Sequence, residues 1–291
     1  MQLRGRNALL TGAAGGLGHY IARSLADEGV NLVLSDLPEL EPELEPLVAE
    51  LRQRGIVVET VPADLSDAEQ AERLIAAAEE ALAALDILVN NAGLEFGGGF
   101  MQRTPAELEL IAQVNLTAVM LTTRAALPGM LERGGGHVVN LASIAGKTAP
   151  PFLASYVATK HAVVGFTHSL RAELGEEGIG FSAICPTFIS RVGMYGRLED
   201  KVSDPPPGLA TLPPERVGAA VVKAIREDRA EIVVASPLVR PLILLSAMAP
   251  RLTTQLFRNK RMREFAEDFS RAKEASPKTA GEKRAVTETR D

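Results

Sequence analysis

Cysteine occurs once in the 291 residues, at Cys185, so the chain has no internal disulfide framework and suits a reducing compartment. A lone thiol of this kind reads first as a small buried hydrophobe. Histidine occurs four times, scattered, with no cysteine or carboxylate at ligand spacing, which argues against a metal site. An excess of positive charge is also missing. The formal net charge of −6 offers no basic field for nucleic acid. The opening "MQLRGRNALLTG" runs into a strand without the long apolar core of a signal peptide. The greasiest stretch, "PLVRPLILLSAMAPRL" (237–252), is interrupted by Arg240, Pro241 and Pro250 and is shorter than the ~20 apolar residues a bilayer needs. The default expectation is a soluble cytoplasmic protein.

What is present is a hydrophobic share of 46%, enough for one large α/β domain. Short β-branched or leucine-rich runs predict strands at 7–11, 31–35, 57–61, 86–90, 137–142, 180–184 and 231–235, with helical periodicity between them. Ser66 with Glu69, and Thr104 with Pro105 and Glu107, read as helix starts. Apolar strands alternating with long helices imply a parallel sheet covered on both faces, a doubly wound fold. Three segments break the pattern. Residues 36–47 space prolines 38, 42 and 46 through an acidic stretch and predict an irregular, solvated connection before a short helix ending near Gly55. Residues 196–215 are rich in proline and charge and predict a mobile excursion. From about Ala275 the composition is that of a disordered tail. The expected organisation is a catalytic domain over 1–236 with a substrate loop at 190–214, an amphipathic helical extension over 237–274, and a disordered 275–291.

"LLTGAAGGLGHYIARSL" follows the first strand and opens the first helix. Glycines there let the backbone turn sharply and approach a pyrophosphate, which the helix N-terminus then faces with free N–H groups. Asp36 ends the second strand, where a carboxylate can accept both hydroxyls of an adenosine ribose and repel a 2′-phosphate. No Arg or Lys stands at Gly15, Ser35 or Leu37, so NAD is favoured over NADP.

In "SYVATKHAVVGFTHSL", Tyr156 and Lys160 have i,i+4 spacing and share one helix face. A free tyrosine titrates near pH ~10, and a neighbouring ammonium favours the phenolate. Alone this pair is ordinary decoration. Its company is not: Ser143 lies just past the strand in "VVNLASIAG", Asn90, Asn91 and Gly93 end another strand, and Asn115 sits inside an apolar helix. An unpartnered amide there would cost about 1–3 kcal/mol.

With those residues in view, the sequence resembles the short-chain dehydrogenase/reductases of compact, single-domain type. "TGAAGGLG" fits the family's TGxxxGxG motif, and "NNAG", "ASYVATK" and the isolated Asn and Ser fall in the family's order over roughly Gly5 to Ala235. "TGAAGGLG" also satisfies the TGxxGxxG form of longer, epimerase-like members; the NNAG segment and the short chain favour the compact type. The resemblance implies a Rossmann fold with a mostly seven-stranded parallel sheet. It implies Tyr156 as general acid/base, Lys160 on the nicotinamide ribose and lowering the tyrosine pKa, Ser143 orienting the substrate oxygen, and Asn115 holding a relay water. It places Thr11, Gly12, Gly15, Gly16, Leu17 and Gly18 at the pyrophosphate, Asp36 at the adenine ribose, and Asp64 and Leu65 beside the adenine. Asn91, Ala92 and Gly93 would line the cleft, and Pro186, Thr187 and Ile189 would join Tyr156 and Lys160 at the nicotinamide.

The stretch "CPTFISR" departs from the family's Pro-Gly. Thr187 stands for the glycine, and Arg191 for the threonine expected at the carboxamide. Arg191 faces either an anionic substrate or solvent, and Ser190 is the alternative carboxamide contact. Phe96, Phe100, Phe188, Met194 and Tyr195 would make a mostly apolar pocket for a hydrophobic secondary alcohol or ketone. Residues 237–258 have three readings: core or subunit packing, a wall of that pocket, or an interfacial membrane helix with Arg251, Arg258, Lys260, Arg261 and Arg263 at the lipid headgroups. The expected activity is NAD(P)-dependent interconversion of an alcohol and a ketone in a homodimer or homotetramer. The alternative is a nucleotide-binding regulatory or scaffold protein without turnover.

Overall fold

The structure, a computed structural model, describes residues 1–206 and 209–287, with side chains through Arg284. Residues 207–208 of the expected substrate loop and 288–291 of the expected tail lie outside the described residues. The chain runs β1 (Asn7–Thr11), α1 (Gly16–Asp27), β2 (Asn31–Ser35), α2 (Glu41–Arg52), β3 (Val58–Thr60), α3 (Ala68–Leu82), β4 (Ile87–Asn90), α4 (Pro105–Ala112), α5 (Ala118–Glu132), β5 (Gly136–Leu141) and α6 (Ala154–Leu174). It continues through β6 (Ile179–Pro186), the single turn α7 (Gly193–Gly196), α8 (Glu215–Glu227) and β7 (Glu231–Val234). Four helices follow: α9 (Val239–Met248), α10 (Pro250–Phe257), α11 (Lys260–Glu274) and α12 (Ala280–Thr287).

All seven strands pair in parallel, in the order β3-β2-β1-β4-β5-β6-β7. Every residue of β4 and β5 is buried, as expected of strands covered on both faces. Alternation along β1 divides the core: Leu10 joins Leu34, Ile21 and Val221 on the face of α1, α2 and α8, while Leu9 joins Val33, Ile75 and Phe181 on the face of α3 and α5. The chain winds outward from β1 to β3, then returns to place β4 on the other side of β1. That reversal opens a crevice at the carboxyl ends of β1 and β4.

Local chemistry explains the ends of the elements. Thr104 and Glu107 form the reciprocal cap of α4. At α3 the cap is Asp67 rather than Ser66: Asp67 Oδ1 accepts from the Glu69 and Gln70 N–H groups at 2.9 and 3.3 Å. The Ser66 hydroxyl is committed instead to Asp64 at 2.7 Å. The proline-spaced segment is also more regular than its composition suggests. After a 3₁₀ turn at Pro38–Leu40, α2 already begins at Glu41. Pro46 forfeits one backbone hydrogen bond inside it, and burial of Leu44, Leu47, Val48 and Leu51 along one face offsets the loss. A π-helical turn at Gln113–Thr117 joins α4 to α5 into 28 continuous residues, long and apolar enough to cross a membrane by composition. Here Ala118, Ala126 and Met130 of that run are built into the sheet's core.

The C-terminal region departs furthest from expectation. α9 and α10 leave Leu238, Leu244, Met248, Leu252 and Leu256 exposed, Met248 at 84%. Core packing therefore accounts for only part of residues 237–258, through the buried Val239, Thr253 and Phe257. α11 buries Phe265 and Phe269 against Phe188 and Tyr195, with Phe188–Tyr195 and Phe188–Phe265 ring centroids 4.9 and 5.2 Å apart. The stretch expected to be disordered carries α12 and folds back onto the domain. Lys273 pairs with Glu282 at 2.7 Å, Lys278 with Glu107 at 3.1 Å, and Arg284 with Glu39 at 3.2 Å and with Asp64.

Candidate active site

The crevice is first fastened shut behind its floor. The Thr11 hydroxyl at the end of β1 accepts from the Asn91 and Ala92 N–H groups, each at 3.1 Å. Asn91 Nδ2 returns bonds to the Thr11 and Gly12 carbonyls at 3.0 and 2.9 Å. This lacing holds Gly12 in a left-handed conformation at φ 65°, with a Cβ there only 2.8 Å from Ala92 Cα. A side chain on Gly18 would collide with the Gly12 carbonyl, so that position is closed to anything larger than glycine. Asp36 accepts from the Ala14 and Leu37 N–H groups, both at 2.9 Å. It thus fixes the glycine-rich turn as well as facing the cleft. Burial raises its pKa, and those backbone donors oppose the rise.

At the other end of the crevice, β5 delivers Ser143, extended at φ −171°, and α6 delivers Tyr156 and Lys160. Lys160 is 4% exposed, and its ammonium donates to the Leu141 carbonyl at 2.8 Å. Its Nζ lies 5.6 Å from the centre of the Tyr156 ring. Burial pulls Lys160 down to about 8. Burial also drives the Tyr156 phenol well above 10, with Glu95 adding to the rise and the Ser143 hydroxyl opposing it. Asn115 is completely buried in the π turn. Its Oδ1 accepts from the Leu94 N–H and its Nδ2 donates to the Leu94 carbonyl, both at 2.8 Å, with Thr159 Oγ1 at 3.3 Å. A Cβ on Gly93 would stand 3.3 Å from Asn115 Oδ1 and 3.5 Å from Lys160 Nζ, so only this glycine separates the two.

One cleft joins these ends. Gly12, Gly15, Gly16, Leu17, Gly18, Asp36, Asp64, Leu65, Asn91, Ala92, Gly93, Ser143, Tyr156, Lys160, Pro186, Thr187 and Ile189 all line it, as do Phe188, Met194 and Tyr195. Thr11 and Asn115 stand behind the lining and position it. Phe96 is not in the pocket: it packs on Leu94, Leu110 and Ile111, with the Lys278 ammonium 5.7 Å from its ring centre. Phe100 is 56% exposed, away from the cleft. Arg191, also left-handed at φ 66°, turns to solvent and pairs with Glu215 at 2.6 Å. Ser190 does not reach the cleft either; its hydroxyl donates to the Leu212 carbonyl at 3.3 Å. Thr187 keeps a buried hydroxyl without a partner among the described residues.

The stretch 94–100 reads in the sequence as a substrate-covering loop, though not through Leu94 and Glu95 in particular, while Leu110, Val114, Leu153, the tail residues Thr279–Gly281 and Arg284 were missed. Leu94 and Glu95 follow the NNAG run directly and were available as a signal. Arg284, in a tail of mixed charge, gave none.

Comparison with known proteins agrees with this arrangement. The family model of the short chain dehydrogenases matches residues 6–202. The chain is 37% identical over 233 residues to ketoacyl reductase HetN of Nostoc sp., covering 80% of this chain and 79% of that protein. It is 36% identical over 189 residues to D-beta-hydroxybutyrate dehydrogenase of Cupriavidus necator, covering 64% and 72%. The solved structure of a short chain dehydrogenase/reductase from Burkholderia phymatum, in complex with NAD, superposes with a TM-score of 0.75 at 30% identity, over 87% of this chain and 96% of that one. The crevice at the strand reversal, the motifs along it and these matches have one reading: the chain belongs to the short-chain dehydrogenase family of oxidoreductases.

Proposed function

We propose that the protein interconverts a hydrophobic secondary alcohol and its ketone with NAD(H). The observation that carries this reading is the convergence of Ser143, Tyr156 and Lys160 on the cleft that the glycine-rich turn opens. The cofactor's fit rests on the protein's own atoms. The turn into α1 admits no side chain at Gly12 or Gly18, the N-terminus of α1 faces it, and Thr187 holds a buried hydroxyl with no partner among the described residues at the opposite end. Asp36 supports NAD over NADP, because a 2′-phosphate would meet its carboxylate. The nearby Arg284 guanidinium is already matched by Asp64 and Glu39.

A bound nicotinamide would supply or accept the hydride. Everything else falls to the side chains. With its pKa raised, the Tyr156 phenol is protonated at neutral pH and gives its proton to the carbonyl oxygen during reduction. Ser143 donates a hydrogen bond to the same oxygen and stabilises the charge that gathers there. Lys160, held near about 8, stabilises the phenolate and passes a proton to it. Asn115 holds the Leu94 peptide and serves the relay behind Lys160. Phe188, Met194, Tyr195 and Phe269 exclude water from the far wall and favour an apolar substrate body. Ketoacyl and hydroxybutyrate chemistry among the relatives is consistent with a carbonyl of this kind.

The test is the thermal shift with NADH and, separately, NADPH, since a ligand binding only the native state raises the melting temperature. A clear shift with NADH and little with NADPH is expected; a larger NADPH shift would overturn the Asp36 argument. No shift with either would favour the non-enzymatic alternative.

The exposed α9–α10 face supports a contact with an anionic bilayer surface, in an otherwise cytoplasmic protein. Between Glu231 and Glu264 there is no acidic residue, while Arg240, Arg251, Arg258, Lys260, Arg261 and Arg263 surround the exposed leucines. Sedimentation with phosphatidylglycerol vesicles but not with phosphatidylcholine vesicles is the expected result. The exposed Met120 and Leu131 on α5 favour self-association through the long helices, as dimer or tetramer.

A further inference from the structure

One acidic side chain in the cleft has no task in the chemistry above. Glu95 is 2% exposed, lines the reactive end, and its Oε1 has no hydrogen-bond partner among the described residues. Buried carboxyl oxygens are ordinarily satisfied, so an orphan of this kind calls for a cause. The two cations that act on it pair with other acids, Arg103 with Glu107 at 3.1 Å and Lys273 with Glu282 at 2.7 Å, and Arg103 keeps a buried Nε without a partner among the described residues. Its position is also fixed. The preceding peptide, at Leu94, is gripped on both its N–H and its carbonyl by Asn115.

We propose that Glu95 is a substrate-recognition residue whose carboxyl accepts a hydrogen bond from a hydroxyl or ammonium group on the substrate, set apart from the carbon that is oxidised. The proposal rests on the reading of this cleft end as the substrate site. The surrounding wall of Leu94, Leu110, Val114 and Leu153 is apolar, so Glu95 is the acceptor that such a donor meets on that wall among the described residues. A substrate without the donor leaves Glu95 as unpaired as it is in the free protein, while one that carries the donor satisfies it. Burial and the neighbouring Glu282 push Glu95 up to about 7, with Lys273 and Arg103 opposing, and a bound donor relieves that strain.

The test uses dead-end complexes, which need no turnover. With saturating NADH, dissociation constants are measured for 1-phenylethanol, 1-phenylethane-1,2-diol and 2-amino-1-phenylethanol. The two donor-bearing probes are expected to bind about tenfold more tightly than 1-phenylethanol, the usual size for a buried hydrogen bond to a charged group. Glu95→Leu is expected to equalise the three while leaving 1-phenylethanol within about twofold. Glu95→Gln, which keeps the shape and an acceptor, is expected to lose the advantage of the amine and keep most of that of the diol. Equal affinities in the wild-type protein, or a preference that survives Glu95→Leu in a folded variant, would overturn the proposal. Failure of the alcohol–ketone reading shows separately, as probes that bind but are not oxidised with NAD⁺.

Discussion

Replacing Lys160 by methionine should separate the stability of this protein from its chemistry. The ammonium is almost fully buried, with no carboxylate ion-paired to it among the described residues, and its pKa falls from 10.5 to about 8. That fall corresponds to about 3 kcal/mol of preference for the neutral amine in the native state. The sign follows from linkage. Below about pH 8 the lysine is protonated in both native and unfolded chains, and the native state bears the whole cost. Between about 8 and 10.5 the native lysine has lost its proton while the unfolded one keeps it, so the cost fades and is gone above 10.5. Lys160→Met removes the cost but strands the Leu141 carbonyl, a loss of about 1–3 kcal/mol. The net gain at pH 7 is therefore small, about 0–2 kcal/mol. The pH dependence is cleaner, because the stranded carbonyl does not titrate and Tyr156 stays neutral throughout. Urea unfolding of both proteins from pH 7 to 10.5 should show the variant's relative stability declining by about 3 kcal/mol, with turnover lost at every pH. A flat difference would mean that Lys160 is not the desolvated cation described here.

Tyr156→Phe removes the proton donor without emptying the site; turnover should fall by about 10²–10⁴ while the NADH thermal shift persists, and a variant within tenfold of wild type would remove Tyr156 from that role. Gly18→Ala drives a methyl group into the Gly12 carbonyl; a loss of about 1–3 kcal/mol in urea unfolding and of the NADH shift is expected, and unchanged unfolding would refute the close approach. Arg284→Ala frees Asp64 from its guanidinium at the adenosine end of the cleft. NADH should then bind several-fold more tightly, as for a partly exposed ion pair worth about 1 kcal/mol. Calorimetric titration giving equal or weaker binding would show that the tail does not compete there.

Much of this architecture is legible in the sequence because parallel strands covered on both faces read as unbroken apolar runs, and all seven were found within a few residues of their limits. Helical spacing alone did not single out Tyr156 and Lys160; the company of Ser143, the NNAG run and Asn115 did, and both side chains line the cleft. The failures share a cause, since each depends on a contact distant in sequence. α2 forms through its prolines because Leu44, Leu47, Val48 and Leu51 find a core to enter. Leu94 rather than Phe96 faces the cleft, in a segment whose direction is set by Asn115. The tail is ordered by Lys273, Lys278 and Arg284 meeting acids whose relevance nothing in the tail's own composition announces.

The turn at Gln113–Thr117 winds one residue more loosely than an α-helix and holds Asn115 within it. Measured along the sequence, that turn amounts to a single inserted residue. Removing one residue would leave an unbroken helix from Pro105 to Glu132, but everything on one side of the deletion would swing by ~100° about the axis. Ala118, Thr122, Ala126 and Met130 could then face the sheet, or Leu110 and Ile111 their own cluster, but not both sets together. A change in this helix's length by one residue therefore surrenders either the core or the asparagine.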